Sequence, residues 1–240
     1  MTFNSPTAKY QYVNNMFARI AHRYDRMNRI MTVGQDRRWR KLIIRKAQLP
    51  PGGTLLDIAT GTGEIAFEAL RQYSDLNQVV GADFTLPMMH VGQQRVIAEH
   101  PDRWRRLSWS GADTLHLPFP DNSFDAVVSG FLMRNVTSIP LALAEQRRVC
   151  KVGGQVLILE IPRPADNLLG KLFRLYFHHV VPRLGALITG QGDAYTYLPA
   201  SADAFLRPDE LKTEMEHTGL QDVHYALLMF NTVALHVGLK

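Results

Sequence analysis

Apolar and polar residues alternate along the chain in short runs that predict strands and helices in turn. The run Thr54–Ile58 is apolar apart from its threonine and Asp57, and it precedes a glycine-containing turn at Ala59–Gly63. Apolar residues then recur at helical spacing between Ile65 and Leu70. A strand, a tight turn and a helix in this order open a βαβ unit, and such an apolar strand is typical of a parallel sheet covered on both faces.

The alternation continues along the chain and predicts an α/β fold. The remaining predicted elements are strands at Gln78–Asp83, 126–130 and Gln155–Glu160, a third strand with its exit loop at 107–114, helices at Pro87–Glu99 and Pro140–Cys150, and a turn at Lys151–Gly154. Two helices precede the sheet, one with apolar residues spaced by three and four from Val13 to Met31 and one at Asp36–Ala47. Residues 1–10 are expected to form a loose tail. We expect a helical cap over residues 1–49 and a main domain over residues 50–240.

Composition narrows the class of protein. The chain has 240 residues of which 46% are hydrophobic, which excludes wholesale disorder. A single cysteine excludes an internal disulfide and fits a reducing, cytoplasmic compartment. Neither a signal peptide nor a spanning helix is expected, since the chain lacks an apolar leader and a run of about 18 apolar residues. The net charge of +5 permits attraction to anionic lipid or nucleic acid but demonstrates neither.

The glycine turn after the first strand can bind a nucleotide-type ligand. Gly61 and Gly63 let the backbone bend sharply and let a ligand approach it closely. A dinucleotide prefers the full GxGxxG spacing, and here Ala59 stands where a further glycine is expected. Asp57 is also awkward beside a pyrophosphate, whereas its carboxylate suits a ligand that carries an amino group and a sulfonium. The turn therefore favours S-adenosylmethionine, although such turns also occur simply to pack a helix on a sheet.

Two further acids follow strands in the predicted sheet. Asp83 ends the second strand about 20 residues after the turn, where a carboxylate can accept hydrogen bonds from both hydroxyls of a ribose. The combination of turn and Asp83 is much more specific than either part. Asp113 follows the third strand and is placed to accept a hydrogen bond from the exocyclic amine of adenine, with a backbone amide near Thr114 meeting a ring nitrogen. A turn or cap role for Asp113 stays open.

These motifs resemble those of a known enzyme family. The segments Leu56–Asp57, Gly61–Gly63, Asp83, Leu117–Asp125 and Lys151–Gly154 are similar to the motifs of class I S-adenosylmethionine-dependent methyltransferases. The segments Phe17–Asn28, Met133–Thr137, His179–Gly185, Asp193–Leu198 and Thr232–Gly238 resemble the ubiquinone/menaquinone biosynthesis C-methyltransferase family. The resemblance covers nearly the full length of the chain.

The resemblance implies a fold and a reaction. The fold is a Rossmann-like, seven-stranded, mostly parallel sheet with an antiparallel last strand, and here His224–Met229 and Thr232–Val237 would form the closing hairpin. A helical lid insertion is expected at about 164–206. The reaction is methyl transfer from S-adenosylmethionine, without a metal, to a ring carbon of a polyprenylated quinol such as demethylmenaquinol. An acceptor that is a soluble aromatic or a natural product stays open, because Thr60, Gly130 and Leu132 depart from the family pattern.

The resemblance also suggests residue roles. Asp57, Gly61, Thr62, Gly63, Asp83, Asp113 and Thr114 are the expected cofactor contacts. Arg134 is the first candidate for catalysis, as a fixed positive charge that stabilises a quinolate, because a guanidinium stays protonated in proteins. Tyr24 and Asp193 are candidates for a proton relay, and His22, Asn135 and Tyr197 for contacts with the acceptor. The alternatives are a salt bridge of Arg134, a helix cap at Asn135 and structural roles for the other residues.

Two basic segments raise the question of partners. Apolar residues at Leu168–Gly190 are interleaved with Lys171, Arg174 and Arg183, which is typical of a packed amphipathic lid. We further hypothesise that one face of this segment lines the substrate cleft and admits a prenyl tail, and that the basic face meets anionic lipid. The basic face of Asp36–Ala47 is interpreted as a solvated face. Nucleic-acid binding is not expected there, because stacking aromatic residues are missing beside those charges. A homodimer stays open.

Overall fold

A seven-stranded sheet forms the centre of the protein in the computed structural model, which describes residues 3–98 and 104–240. The strands lie in the order β3-β2-β1-β4-β5-β7-β6. Their bounds are β1 Thr54–Ile58, β2 Gln78–Asp83, β3 Leu107–Gly111, β4 Phe124–Gly130, β5 Cys150–Glu160, β6 Gln221–Leu228 and β7 Val233–Leu239. Strands β1 to β5 pair in parallel, and β7 is antiparallel to both β5 and β6. The expected Rossmann-like fold, with its closing hairpin, is confirmed.

Helices cover both faces of this sheet. Their bounds are α1 Pro6–Met31, α2 Gln35–Lys46, α3 Glu64–Gln72, α4 Leu86–Ala98, α5 Ile139–Val149, α6 Leu168–Leu175, α7 Val181–Thr189, α8 Gly192–Asp203 and α9 Pro208–His217, with a π-helical turn at Tyr176–Val180 between α6 and α7. The last residue of the helix predicted at Pro87–Glu99 lies outside the described residues. Among the described residues, no helix combines the length and the apolar character that crossing a membrane requires.

The hydrophobic core has three parts. Leu55 and Val128 face a cluster formed with α2 and α3, whereas Leu56 and Val127 face a cluster formed with α5 and α9. Burying each of these side chains contributes about 1.5–3 kcal/mol, which fixes the register of the strands. A third cluster joins α1 to the helices after β5. Helix α1 therefore packs against the segment 164–206, and the two enclose a space above the carboxyl ends of the strands.

The expectation of a loose tail is wrong for residues 6–10, and residues 1 and 2 lie outside the described residues. Helix α1 begins at Pro6, because the Ser5 side chain accepts a hydrogen bond from the amide of Ala8 at 3.1 Å and a proline occupies the first turn. Tertiary contacts also hold this turn. Lys9 Nζ donates to the carbonyl of Val136 at 2.6 Å, and Tyr10 stacks on Phe84 with ring centroids 4.8 Å apart.

The turn predicted at Lys151–Gly154 is present as a bulge within β5. Cys150 pairs with Phe124 and Gln155 pairs with Ala126, so five residue steps on β5 correspond to two on β4. Gly153 adopts φ +79° inside this bulge. The bulge explains why the strand continues on both sides of a sequence that is typical of a turn.

Candidate active site

Asp57 lies at the carboxyl end of β1 and holds the glycine turn. Its Oδ2 accepts hydrogen bonds from Thr60 Oγ1 at 2.7 Å and from the amide of Ala66 at 3.1 Å. Its Oδ1 is buried and has no hydrogen-bond partner among the described residues. Burial raises the pKa of Asp57 to about 7. A buried carboxylate with one free oxygen favours a cationic ligand, because such a ligand supplies both a partner and a compensating charge.

Asp83 lies at the carboxyl end of the neighbouring strand β2. Its two oxygens accept hydrogen bonds from the amides of Gly61 at 2.8 Å and Thr85 at 2.7 Å. Burial raises the pKa of Asp83 to about 6. The structure therefore brings Asp57, the glycine turn and Asp83 together at one edge of the sheet, as the sequence predicts.

The glycine turn has left-handed backbone at three of its five residues. Gly61 and Gly63 have φ values of +57° and +84°, and Ala59, which stands in place of a further glycine, also has a positive φ of +54°. A Cβ atom on Gly63 would lie 2.5 Å from the Trp109 ring. Thr62, at the tip, donates from Oγ1 to Asp25 Oδ1 at 2.9 Å. Helix α1 is thereby attached to the turn.

Asp113 and Thr114 line a small cavity of about 30 Å³ beside β2 and β3. Asp113 Oδ1 accepts a hydrogen bond from the amide of Leu115 at 3.0 Å, which agrees with a role in the turn. Thr114 Oγ1 is buried and has no hydrogen-bond partner among the described residues. Tyr10 and Phe84 close the cavity on the side of α1.

A larger cavity of about 120 Å³ lies between α1, the end of β4 and the segment 164–206. Its wall is mainly apolar and aromatic, and its polar side chains include Tyr24, Asn28, Asp36, Arg40, Arg134, Asn135 and Tyr197. Cavities on the order of 150 Å³ with apolar walls hold a benzene ring in other proteins. Asn135 lines both this cavity and the small one, so the two spaces meet at its side chain.

Arg134 lines the large cavity together with Arg40. Its side chain is 4% exposed and forms an ion pair from Nη1 with Glu160, which is 1% exposed at the end of β5. Nη1 also donates to the carbonyl of Phe131 at 3.2 Å. The Nε of Arg134 is buried and has no hydrogen-bond partner among the described residues. Sequence reasoning missed Glu160, although an acid at the end of a strand is the signal that identified Asp83.

Asn135 and Tyr197 form a hydrogen-bonded pair beside Arg134. Tyr197 donates from its hydroxyl to Asn135 Oδ1 at 3.1 Å, and Asn135 Nδ2 donates to the carbonyl of Phe131 at 3.0 Å. Burial raises the pKa of Tyr197 to about 12, so its hydroxyl keeps its proton at neutral pH. Phe131 has φ +60°, and this left-handed residue places one carbonyl within reach of both Arg134 and Asn135.

Tyr24 lines the same cavity from α1. Burial raises its pKa, while a hydrogen bond with Asn28 and the charges of Arg134 and Arg40 lower it. Arg40 and Asp36 also line the cavity and were not predicted as site residues. Arg40 Nη1 donates to Asp36 Oδ2 at 2.8 Å and to Glu64 Oε2 at 3.2 Å, which links α2 to the helix after the glycine turn.

Asp193 and His22 lie outside the large cavity. Asp193 forms an ion pair with Arg19 at the surface, and the two side chains are 48% and 45% exposed. His22 is exposed and lines a basic cleft on the other side of α1, together with Arg26 and Arg95. The structure thus groups Arg134, Tyr24, Asn135 and Tyr197, but it does not bring Asp193 or His22 to them. The part of the chain that the structure describes contains no group of His, Cys, Asp and Glu side chains that could hold a metal ion.

A family model for the ubiE/COQ5 methyltransferase family matches residues 6–240. The chain belongs to this family. Demethylmenaquinone methyltransferase of Roseiflexus castenholzii is 44% identical over 235 residues, which are 98% of this chain and 96% of that protein. Ubiquinone/menaquinone biosynthesis C-methyltransferase UbiE of Desulfotalea psychrophila is 40% identical, over 95% of this chain and 90% of that protein. The resemblance found in the sequence is confirmed.

A solved structure supports the fold of this ubiE/COQ5 family member. A SAM-dependent methyltransferase from Thermotoga maritima, described as a possible histamine N-methyltransferase, superimposes with a TM-score of 0.61 at 18% identity. The match covers 94% of this chain and 99% of that chain. At this level of identity the likeness shows the shared fold and nothing about the acceptor.

Two departures from the family pattern lie next to the site. At Gly130, a Cβ atom would meet Ile65 Cδ1 at 2.8 Å, so a side chain there would require Ile65 to move. Leu132 is 3% exposed and lines the small cavity. Both departures therefore concern packing at the end of β4, beside the residues that carry Arg134 and Asn135.

Proposed function

We propose that this methyltransferase transfers a methyl group from S-adenosylmethionine to a ring carbon of a prenylated quinol, converting demethylmenaquinol to menaquinol. The observation that carries the proposal is the aromatic-lined cavity with Arg134 in its wall, because a buried guanidinium with a free Nε suits a ring oxygen that bears negative charge. The relatives named above support the acceptor, since they are named for menaquinone chemistry.

The residues at the sheet edge fit the cofactor. Two buried oxygens, Asp57 Oδ1 and Thr114 Oγ1, have no partner among the described residues, and they lie in the two places where the cationic and adenine ends of the molecule would be recognised. Asp83 would accept from the ribose hydroxyls, and the turn Gly61–Gly63 lets the ligand approach the backbone. When bound, the cofactor would supply an electrophilic methyl: its S–CH₃ bond would break as a C–CH₃ bond to the ring forms, leaving S-adenosylhomocysteine. The methylated ring carbon would then lose its hydrogen as a proton to water, which restores the aromatic ring.

Arg134 would act on the acceptor as a fixed charge. A neutral quinol carbon is a modest nucleophile, and removal of a hydroxyl proton pushes charge onto the ring. The guanidinium stays protonated, so it cannot take that proton, but it lowers the pKa of a bound hydroxyl and stabilises the resulting oxyanion. Tyr24, Asn135 and Tyr197 would grip the ring oxygens from the same wall. Water or a carboxylate would take the proton.

The meeting point at Asn135 would align the two reactants. Asn135 borders both the small cavity, where the adenine end would be recognised, and the large cavity, where the ring would lie. Holding two reactants in line can lower a barrier by about 7 kcal/mol or more. For Asp193 to join the reaction, its ion pair with Arg19 would have to open, and His22 would act only through the cleft outside α1.

The cap and lid would form the entrance for the prenyl tail. Residues 1–49 act as the cap, and residues 164–206 act as the lid, since Phe173, Phe177 and Val181 line the cavity from inside the lid. The outer face of the lid carries leucines that are strongly exposed: Leu168 72%, Leu169 51%, Leu172 53%, Leu175 58% and Leu187 85%. The segment 168–189 contains Lys171 and Arg183 but no acidic residue. This outer face is therefore suited to rest on an anionic lipid surface.

A methyl-transfer assay tests the acceptor. The protein is given radiolabelled S-adenosylmethionine with demethylmenaquinol, with a demethylated benzoquinol or with water-soluble phenols. We expect the label to enter the prenylated naphthoquinol fastest. Faster labelling of the benzoquinol would indicate that the acceptor has a benzoquinol head group. Labelling of the soluble phenols alone would indicate a soluble aromatic acceptor instead of a quinol. No transfer to any of them would overturn the proposal.

A further inference from the structure

Glu160 is a buried acid next to the proposed chemistry, and no comparison and no sequence motif assigned it a role. It ends β5, is 1% exposed, and is absent from the wall of the large cavity. Its Oε1 accepts from Arg134 Nη1 and from the amide of Ile161 at 2.8 Å, and its Oε2 accepts from the amide of Arg134 at 3.3 Å. Both carboxylate oxygens therefore accept hydrogen bonds from Arg134, and one of them also accepts from the residue that follows β5.

We propose that Glu160 is a positioning residue that holds the Arg134 guanidinium so that its free Nε edge faces the acceptor oxygen. The inference rests on the methyl transfer proposed above and adds the residue that orients Arg134. A guanidinium is a planar fork, so fixing Nη1 by two acceptors, Glu160 and the Phe131 carbonyl, also fixes the direction of Nε.

The energetics of the pair make this arrangement firm. Both side chains are almost fully buried, and a buried ion pair that loses one partner leaves an uncompensated charge. Arg134 consequently cannot turn away from Glu160 towards solvent at low cost. The pairing arises from tertiary structure, because the two residues are 26 positions apart and meet only through the parallel pairing of β4 with β5.

The test compares Glu160→Gln, Glu160→Asp, Arg134→Gln and the double variant Arg134→Gln/Glu160→Gln. Glu145→Gln is the matched control, since Glu145 pairs with Arg148 outside both cavities. We expect Glu160→Gln to lower kcat on the order of 10–100-fold, as displacement of a reacting group by about 1 Å can do. The dissociation constant for the cofactor should stay unchanged. In the Arg134→Gln background, the same substitution should leave kcat unchanged, because Glu160 acts through Arg134.

The pH dependence of kcat distinguishes a loss of orientation of the Arg134 guanidinium from a change in the charge of the site. If the guanidinium loses its place in Glu160→Gln, the bound hydroxyl ionises less easily, and the acidic limb of kcat moves to higher pH. If Glu160 only offsets the charge of Arg134, its removal makes the site more positive, and the limb moves to lower pH. The second result would overturn the proposal, as would an equal loss of kcat in both backgrounds.

A readout without turnover keeps this test separate from the proposed function. The Nε–H signal of Arg134 in a ¹⁵N spectrum is assigned by its loss in Arg134→Gln. We expect a sharp, slowly exchanging signal in the wild type and in Glu145→Gln, and a broadened one in Glu160→Gln. An unchanged signal would overturn the positioning role even if the wild type methylates a quinol. If Glu160→Gln does not fold, Glu160→Asp gives the answer: the carboxylate retracts by about 1.5 Å, so kcat should fall about tenfold, and wild-type kcat would refute the role.

Discussion

At the scale of single residues, the acids at the sheet edge and the cation in the cavity make different contributions. Asp83→Ala should weaken cofactor binding by roughly 10–100-fold, because a hydrogen bond to a charged group contributes about 1.5–3 kcal/mol.

Arg134→Gln should leave cofactor affinity unchanged and lower turnover by roughly 100–1,000-fold, which is the effect of losing one oxyanion donor. Calorimetry and the methyl-transfer assay measure the two quantities.

Asp75→Ala is the control for Asp83→Ala, since Asp75 is exposed in the loop before β2. It should bind the cofactor as the wild type does. Wild-type affinity in Asp83→Ala would contradict the placement of the nucleotide at this edge.

The pH dependence of stability follows from Asp57. Burial raises its pKa from 3.8 to about 7, so the folded protein keeps a proton that the unfolded chain loses at lower pH. The contribution of Asp57 to the free energy of unfolding therefore falls as pH rises from about 4 to 7, and each tenfold difference in proton affinity between the two states corresponds to about 1.4 kcal/mol. Urea unfolding of the wild type and Asp57→Asn should show the variant gaining relative stability over this range. A difference independent of pH would refute the raised pKa.

At the scale of elements, the strand–turn–helix unit depends on Gly63. Gly63→Ala forces a positive φ on alanine and brings its Cβ to 2.5 Å from Trp109, so it should destabilise the protein by more than the roughly 1–2 kcal/mol of the backbone strain alone. Gly153→Ala is the matched control, because Gly153 has φ +79° and open space around its Cα. Thermal unfolding compares them, and equal losses would show that contact with Trp109 is unimportant.

Local patterns predict the elements whose signals are local. The strand at Gln78–Asp83 is predicted with its observed bounds, because an apolar run ends there in an acid. The start of α1 is missed although Ser5 and Pro6 form an N-cap and first-turn signal, since the apolar stripe begins only at Val13. Periodicity identifies the buried face of a helix better than its ends.

The position of a site residue can be predicted from the sequence when that residue lies at the end of a predicted strand. Asp57 and Asp83 lie together because parallel strands end at one edge of the sheet. The contact between Arg134 and Glu160 depends on the pairing of β4 with β5, which no local pattern contains. The surface position of Asp193 depends on how α8 packs against α1, and that packing is decided by side chains far apart in the chain.

At the scale of the whole molecule, the exposed leucines of the lid predict binding to membranes. The protein should sediment with vesicles of phosphatidylcholine and phosphatidylglycerol at low salt, and Leu172→Ser/Leu175→Ser should sediment several-fold less. Val152→Ser is the control, because Val152 is 81% exposed on β5, away from the lid. Absence of binding by the wild type at low salt would remove the lipid surface from the proposal.

The contact of Tyr10 with Phe84 has a consequence for the release of product from the enzyme. These rings line the small cavity together with Val136, whose carbonyl accepts a hydrogen bond from Lys9, so the first turns of α1 form part of the cavity wall. If the cofactor binds there as proposed, departure of S-adenosylhomocysteine would require this end of α1 to undock. The catalytic cycle would then include a mechanical step at its exit, set by aromatic stacking rather than by bond making.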